Sequence, residues 1–181
     1  MKNDNSINYK TCLDEKLAYE LKRKAELKVN PNCCIDRFCT SKKSLLVQSR
    51  DLYIQSAEIY KNCLQWRKAG ECYEKCAIIK IELNESPIDV YKEAIFCYQN
   101  VNSDVNIKII FFKMINYLES KGEIYEIAKK YEEMGDYYYQ NKGDKKEAKY
   151  FFEEAIKNYS KDSNYENDKI NLQKKLALIK L

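Results

Sequence analysis

The chain has 181 residues, 45% of them hydrophobic and 13% aromatic, so it can bury a core and is not a disordered tail. It has only 4 glycines and 2 prolines, too few for the regular turns of an all-β sandwich or barrel. Its 32 basic and 28 acidic residues are interspersed, which excludes the one-sided basic surface typical of nucleic-acid-binding proteins.

The residue types also weigh against an enzyme. The chain contains no histidine, which removes Ser-His-Asp and Cys-His catalysis and the usual proton shuttle near neutral pH. The acidic pairs Glu132-Glu133 and Glu153-Glu154 are adjacent on predicted helices, where neighbouring side chains point about 100° apart. Such pairs are poorly placed to share an acid/base reaction, so an enzyme is the least favoured class.

The cysteines predict buried, reduced thiols. There are 8 of them, and no two have the Cys-x2-Cys spacing of a zinc knuckle. The polar start, Met1 to Asn8, has no signal-peptide pattern, and no apolar run approaches the roughly 18 residues that span a bilayer. We therefore expect a cytoplasmic protein without a metal or another cofactor.

Hydrophobic periodicity predicts an all-α chain of eight helices joined mostly by short connections. In the first helix, Leu13, Leu17, Leu21 and Ala25 are apolar at four-residue spacing, and Pro31 follows the end of the helix. The predicted helices are Leu13 to Lys28, Ser44 to Asn62, Trp66 to Leu83, Ser86-Pro87 to Gln99, Val105 to Ser120, Ile124 to Gln140, Lys145 to Tyr159 and Glu166 to Ile179.

An aromatic motif recurs along these helices. Each copy has an aromatic residue at position i, a pair that is often small at i+3 and i+4, and a second aromatic at i+7. On a helix these four positions share one face. The segment Trp66-x2-Ala69-Gly70-x2-Tyr73 is close to the tetratricopeptide signature. The repetition predicts a right-handed superhelical solenoid of antiparallel hairpins, with the aromatics packed between helices. The five copies are Tyr53-Ser56-Ala57-Tyr60, Trp66-Ala69-Gly70-Tyr73, Tyr91-Ala94-Ile95-Tyr98, Tyr131-Met134-Gly135-Tyr138 and Phe152-Ala155-Ile156-Tyr159.

The chain resembles the soluble NSF attachment protein (SNAP) family, and within it the α type more than the γ type. The similarity begins at Ala25-Glu26-Leu27-Lys28-Val29, continues through Asp51 to Lys61, and is most specific at Gln65-Trp66-Arg67-Lys68-Ala69-Gly70. Later agreement is found at Ile127-Ala128-Lys129, Glu147-Ala148, Phe152-Glu153 and Ser163-Asn164. The order and lengths of eight helices in register support the resemblance over nearly the whole chain.

The resemblance implies a single helical domain over residues 1–181, with helix 1 and a membrane loop at 13–43 and a hairpin array at 44–181. It also implies a non-enzymatic adaptor that is cytoplasmic and peripherally associated with membranes. Family members bind the acidic four-helix SNARE bundle and recruit the N-ethylmaleimide-sensitive factor ATPase, which disassembles the bundle during vesicle transport. Nucleic acid is not an expected partner.

Two lysines match positions that the resemblance implicates in SNARE binding, Lys129 and Lys169. A third basic position of the family aligns with Glu123, and a lysine pair aligns with Gln99-Asn100. The alternative for either lysine is an ordinary solvated surface residue.

The segment after the first helix is the second candidate site, because in α-type members it carries aromatics that touch the membrane. Here Ile35 and Phe38 are candidates for shallow insertion, and Arg37, Lys42 and Lys43 for contact with anionic headgroups. The three cysteines in this segment are candidates for acylation. The alternative is a loop that folds back and buries Ile35 and Phe38.

Family members continue for several helices beyond the eighth, and that C-terminal part engages the ATPase. The resemblance therefore implies that the ATPase contact lies beyond Leu181, and that this chain by itself binds SNAREs without stimulating the ATPase. The competing interpretation is a tetratricopeptide-like scaffold, unrelated to fusion, that binds a peptide or helix in its groove.

Overall fold

The computed structural model describes the backbone of residues 4–30 and 41–179, with side chains from residue 13 onward in those ranges. Over these residues the chain is helical with short connections and has no strand, which confirms the all-α prediction. The helices are α1 (Asp4–Val29), α2 (Lys42–Asn62), α3 (Trp66–Glu82), α4 (Ile88–Asn100), α5 (Asp104–Lys121), α6 (Ile124–Tyr137), α7 (Lys145–Tyr159) and α8 (Glu166–Ala177), with a π-helical turn at Tyr138–Lys142 and a 3-10 turn at Ser163–Tyr165.

Several helix boundaries differ from the prediction, most of all the start of α1 at Asp4 in place of Leu13, and two of the differences have local reasons. The Ser41 hydroxyl accepts a hydrogen bond from the backbone N–H of Ser44, so α2 begins at Lys42. The placement of Lys42 and Lys43 in a loop was therefore wrong, because both lie in the first turn of a helix. The sixth helix ends early because Tyr138–Lys142 forms the π-helical turn, which closes at Gly143 in the left-handed region.

The chain divides into two compact units, Met1–Met114 and Ile115–Leu181, with α5 contributing residues to each. In the first unit α1 packs on α2, α2 on α3, and α3 on α4. In the second unit α6 packs on α7, and α7 on α8. Short connections make sequence neighbours antiparallel, as predicted for helical hairpins. The single domain over residues 1–181 stays a prediction.

Serine hydroxyls hold α1 close to α2. The Ser49 hydroxyl donates to the Ala25 carbonyl (2.8 Å), and the Ser56 hydroxyl donates to the Ala18 carbonyl (2.7 Å). Both alanines are fully buried, so the small residues of α1 form its packing face. Leu13 and Leu17 are 68% and 47% exposed, which shows that the leucine spacing did not mark the buried face.

The aromatic motif packs between helices, as predicted. In all five copies the second aromatic is buried. The other motif positions are buried too, except for three half-buried residues, Trp66, Ile95 and Ile156. The glycines are the points of closest approach: a β-carbon built on Gly70 would lie 2.9 Å from the Tyr98 ring, and one on Gly135 would lie 2.6 Å from the Phe152 ring. Each ring belongs to the next helix of its unit.

Five described residues adopt positive φ, and each follows the end of a helical element. Four of them are Asn84, Asn102, Gly122 and Gly143, the residue types that tolerate the left-handed region. The fifth is Leu64, with φ of 60°. Leucine is unusual in this conformation because its Cβ crowds the following carbonyl.

Four cysteines have described side chains, and all four are free thiols. Cys72, Cys76 and Cys97 are fully buried, which confirms the prediction of buried thiols at these positions. Burial raises the pKa of Cys76 and of Cys97 to about 12. Over the described residues, no helix combines the length and apolarity that a membrane crossing requires.

Candidate functional site: lysines at a tyrosine cluster

Lys129 lies on the exposed side of α6. Its Nζ atom lies 5.8 Å from the centroid of the Tyr125 ring, one helical turn earlier, so the two side chains form a cation–π contact. The Tyr125 ring in turn contacts Tyr159 of α7 (5.9 Å between centroids) and Tyr165 before α8 (4.9 Å). A tyrosine cluster therefore supports Lys129 while leaving its ammonium group accessible.

Lys169 lies near the start of α8, one helical turn after Tyr165. It comes four residues after Tyr165, as Lys129 comes four residues after Tyr125, and the two tyrosines are in contact. Its Nζ atom forms an ion pair with Glu166 Oε2 at 2.6 Å, and 21% of its side chain is exposed. The structure thus places Lys129 against the tyrosine cluster, whereas Lys169 is paired with Glu166 and its charge is already partly compensated.

The cluster also contains a carboxylate. The Tyr159 hydroxyl donates to Glu132 Oε2 at 3.2 Å, and Tyr159 is buried. Burial, followed by the Glu132 charge, raises the pKa of Tyr159, so its phenol stays neutral at physiological pH. The groups available for binding are the open ammonium of Lys129, the paired ammonium of Lys169 and the tyrosine rings. Such groups suit binding to an acidic surface rather than catalysis.

The sequence did not single out this cluster. Tyr159 belongs to the recurrent motif, but Tyr125 and Tyr165 do not, and their contact depends on how α6, α7 and the 3-10 turn pack together. The spacing of Tyr125 and Lys129 by one helical turn was the available signal. No sequence pattern indicated that Tyr165 would join them.

Two of the residues predicted to replace basic positions of the family, Glu123 and Asn100, are exposed. Glu123 is exposed immediately before α6, and its side chain makes no capping hydrogen bond. Asn100 is exposed at the end of α4, and its amide donates to the Phe96 carbonyl at 2.8 Å.

The second candidate site falls only partly on described residues. Ile35, Arg37 and Phe38 lie outside them. Lys42 and Lys43 are exposed in the first turn of α2, and Lys42 forms an ion pair with Glu82 at 2.5 Å. Both lysines line a depression of about 320 Å³. Its other lining residues, from α2, α3 and the turn after α3, are Leu46, Glu82, Leu83 and Asn84.

Carboxylates in the described part of the chain are dispersed. No group of three or more aspartate, glutamate or cysteine residues there has an arrangement that could hold a metal ion. The adjacent acids also have separate partners: Glu132 accepts from Tyr159, Glu133 pairs with Lys130, and Glu154 pairs with Lys157. This arrangement offers no pair of carboxylates aimed at one point.

Comparison with known proteins identifies the family. No curated protein matches the chain. The family model described as soluble NSF attachment protein, SNAP, matches residues 16–181, which is most of the chain. That family is built as a helical solenoid of tetratricopeptide-like hairpins, in agreement with the helices seen here. The chain therefore belongs to the soluble NSF attachment protein family.

Proposed function

We propose that the chain is a SNAP-type adaptor that binds the assembled SNARE four-helix bundle and recruits the N-ethylmaleimide-sensitive factor ATPase for disassembly during vesicle transport and membrane fusion. The family match over residues 16–181 carries this proposal, because the family consists of non-enzymatic adaptors. The paired hairpins and dispersed carboxylates are consistent with a binding surface and not with a catalytic centre.

Lys129 and Lys169 are proposed as contacts to the acidic bundle. Both belong to the second unit; Lys129 contacts the Tyr125 ring, and Lys169 follows Tyr165 by four residues. An exposed ammonium contributes only about 0.2–1 kcal/mol to a surface ion pair, so several such contacts are needed for stable binding. Binding by many weak charge contacts is sensitive to salt, because the Debye length is about 8 Å at physiological ionic strength.

A cytoplasmic location with peripheral membrane association is part of the same proposal. The membrane contact is assigned to Ile35, Arg37 and Phe38, together with Lys42 and Lys43. The exposed position of the two lysines supports their access to anionic headgroups. Lys43 is the better candidate, because the Lys42 ammonium is paired with Glu82.

The testing experiment measures binding of the purified chain to an immobilised SNARE bundle at low and at physiological salt. The variant Lys129→Glu/Lys169→Glu is compared with Lys146→Glu/Lys174→Glu, a control with the same change in charge. Lys146 and Lys174 are exposed residues of α7 and α8 in the same unit. We expect the wild-type chain and the control to bind and the first variant to bind several-fold more weakly.

The competing scaffold function makes a different prediction in the same experiment. A scaffold unrelated to fusion would leave the bundle unbound, by the wild-type chain as well as by the variants. Absence of wild-type binding at low salt would therefore contradict the adaptor proposal.

A further inference from the structure

Leu64, in the turn between α2 and α3, has two unfavourable features at once. Its φ of 60° lies in the left-handed region, where Asn or Gly stands at the four other described positions with positive φ. Such a conformation is unfavourable for leucine, because its Cβ crowds the following carbonyl oxygen. Its side chain is also 69% exposed, so packing within this chain does not offset the strain. Strain kept at an exposed apolar residue points to a role in binding.

The turn that carries Leu64 is well ordered by hydrogen bonds. The backbone N–H of Leu64 donates to Lys61 O (3.0 Å), and that of Gln65 donates to Tyr60 O (2.8 Å). The Gln65 side chain donates to Glu15 Oε1 of α1 at 3.0 Å. Leu64 is therefore presented in a fixed position, which lowers the entropy lost when a partner binds.

Two aromatic residues of the same unit add apolar surface that begins two residues after Leu64. Trp66, two residues after Leu64, is half-buried, and its ring meets Phe96 of α4 edge to face at 5.8 Å. Phe96 is 47% exposed. Tryptophan and other aromatics are enriched at the centres of protein interfaces, because they bury much area with few rotatable bonds.

Two cations flank the aromatic pair, while Asp14 and Glu15 lie close to Cys63, the residue before Leu64. Arg67 directly follows Trp66, and Lys92 precedes Phe96 by one turn of α4. Both are exposed, and neither forms an ion pair with a residue in the described ranges. By contrast, Lys61 and Lys68 nearby are paired with Glu93 and Glu15. The cations at the edge of the surface are thus available to an acidic partner.

We propose that Leu64, Trp66 and Phe96, flanked by Arg67 and Lys92, form an apolar docking surface for an acidic helix that presents an apolar side chain. We name these five residues the Leu64 surface. The proposal rests on the proposed function, in which the partner is an acidic helical bundle, and the SNARE bundle is therefore the binding probe. The three apolar residues of the Leu64 surface would supply salt-insensitive contacts, in contrast to Arg67, Lys92, Lys129 and Lys169.

A lipid bilayer fits this surface less well than a protein does. The proposed membrane contact includes Lys42 and Lys43 at the start of α2, whereas Leu64 follows the end of α2. The 21 residues of α2 span about 30 Å. A membrane that meets the start of α2 end-on, along the helix axis, would lie about 30 Å from Leu64.

The test uses the full chain, an immobilised SNARE bundle and the variant Leu64→Asn. Asparagine is tolerated at positive φ, so this change removes the apolar group without straining the turn. We expect the thermal midpoint to stay the same or rise, and bundle affinity to fall several-fold with an unchanged salt dependence. Arg67→Glu/Lys92→Glu should also weaken binding but flatten its salt dependence. Leu178→Asn, which changes a 79% exposed leucine in the other unit, should bind as wild type does.

Each other outcome overturns the inference. Unchanged affinity of Leu64→Asn, while Lys129→Glu/Lys169→Glu is weakened, removes the Leu64 surface but leaves the adaptor proposal standing. Absence of wild-type binding removes both. A lowered thermal midpoint for Leu64→Asn assigns Leu64 to the stability of the turn. A loss confined to phosphatidylserine vesicles, with bundle binding intact, assigns the surface to lipid.

Discussion

The ring of Phe152 on α7 occupies the space that a β-carbon on Gly135 of α6 would fill. A β-carbon built there would lie 2.6 Å from two ring carbons, far inside ordinary contact distance. Phe152 is fully buried, so its ring has no free space into which to move. Gly135 is therefore required by the close approach of the two helices, and not by its backbone conformation.

We expect Gly135→Ala to destabilise the protein. Alanine gains about 1 kcal/mol over glycine in helix propensity, but overpacking a core typically costs about 1–3 kcal/mol. The short contact to a buried ring makes the second effect the larger. The expected change is a loss of about 1–2 kcal/mol in the free energy of unfolding, measured by urea titration.

The control for this prediction replaces the Phe152 ring by the smaller side chain of leucine. In Gly135→Ala/Phe152→Leu the loss should be smaller than the sum of the two single losses, since leucine leaves room for the added methyl group. Gly70→Ala should cost less than Gly135→Ala, because its closest contact, to the Tyr98 ring, is 2.9 Å. A Gly135→Ala protein more stable than wild type would show that the helices do not approach this closely.

Local signals in the sequence predicted most of the fold. The predicted bounds of α7, Lys145 to Tyr159, agree with the structure, where the Asp144 side chain accepts from the backbone N–H of Glu147 at the start of the helix. Caps and periodic apolar residues act within one or two turns, so they can be read without tertiary information. The same holds for the recurrent aromatic motif.

What the sequence could not predict depends on packing between helices. The buried face of α1 is formed by Ala18 and Ala25, because Ser56 and Ser49 of α2 approach their carbonyl groups. The predicted apolar series included Ala25 but missed Ala18, and its other end is largely exposed at Leu13. Similarly, the sequence marked the two candidate lysines separately, whereas the contact between Tyr125 and Tyr165 arises only in the folded chain.

Buried tyrosines should make the protein unstable at alkaline pH. Burial raises the pKa of Tyr53, Tyr60 and Tyr131 to about 12, whereas a tyrosine in an unfolded chain titrates near 10. Above pH of about 10 the unfolded chain therefore loses protons that the folded chain retains, and the free energy of unfolding falls as pH rises through this window. Urea titrations between about pH 8 and 12 should show this fall.

Tyr131→Phe should reduce the steepness of that fall above pH of about 10. Phe151→Leu in the same unit is the matched control, since it weakens packing at every pH without removing a phenol. Equal steepness for wild type and Tyr131→Phe would contradict a raised phenol pKa at this position.

The two candidate lysines should contribute unequally to binding. Lys129 is exposed with its ammonium over a tyrosine ring, whereas Lys169 is paired with Glu166. Charge reversal at Lys129 should therefore weaken SNARE-bundle binding more than reversal at Lys169, each by up to about 1 kcal/mol. Equilibrium binding of the two single variants tests this order. A larger effect at Lys169 would mean that the partner displaces Glu166.

The membrane segment is tested by Ile35→Ser/Phe38→Ser. If these side chains insert into lipid, the variant should sediment less with phosphatidylserine vesicles while its thermal midpoint stays near that of wild type. Burial of an isoleucine or phenylalanine contributes roughly 1.5–3 kcal/mol each. A large fall in the midpoint would therefore show that both residues belong to the core.

At the start of α2, Lys43 should matter more for lipid binding than Lys42. The Lys42 ammonium lies 2.5 Å from Glu82 Oε1, so a headgroup phosphate must compete with that carboxylate. Lys43 is exposed in the same helical turn. A basic residue near an anionic surface contributes about 1 kcal/mol, so Lys43→Gln should lower vesicle affinity about fivefold, and Lys42→Gln less. The comparison is made with vesicles of phosphatidylcholine and phosphatidylserine, and pure phosphatidylcholine is the control for charge. Equal losses for the two variants would mean that Lys42 leaves Glu82 when the membrane binds.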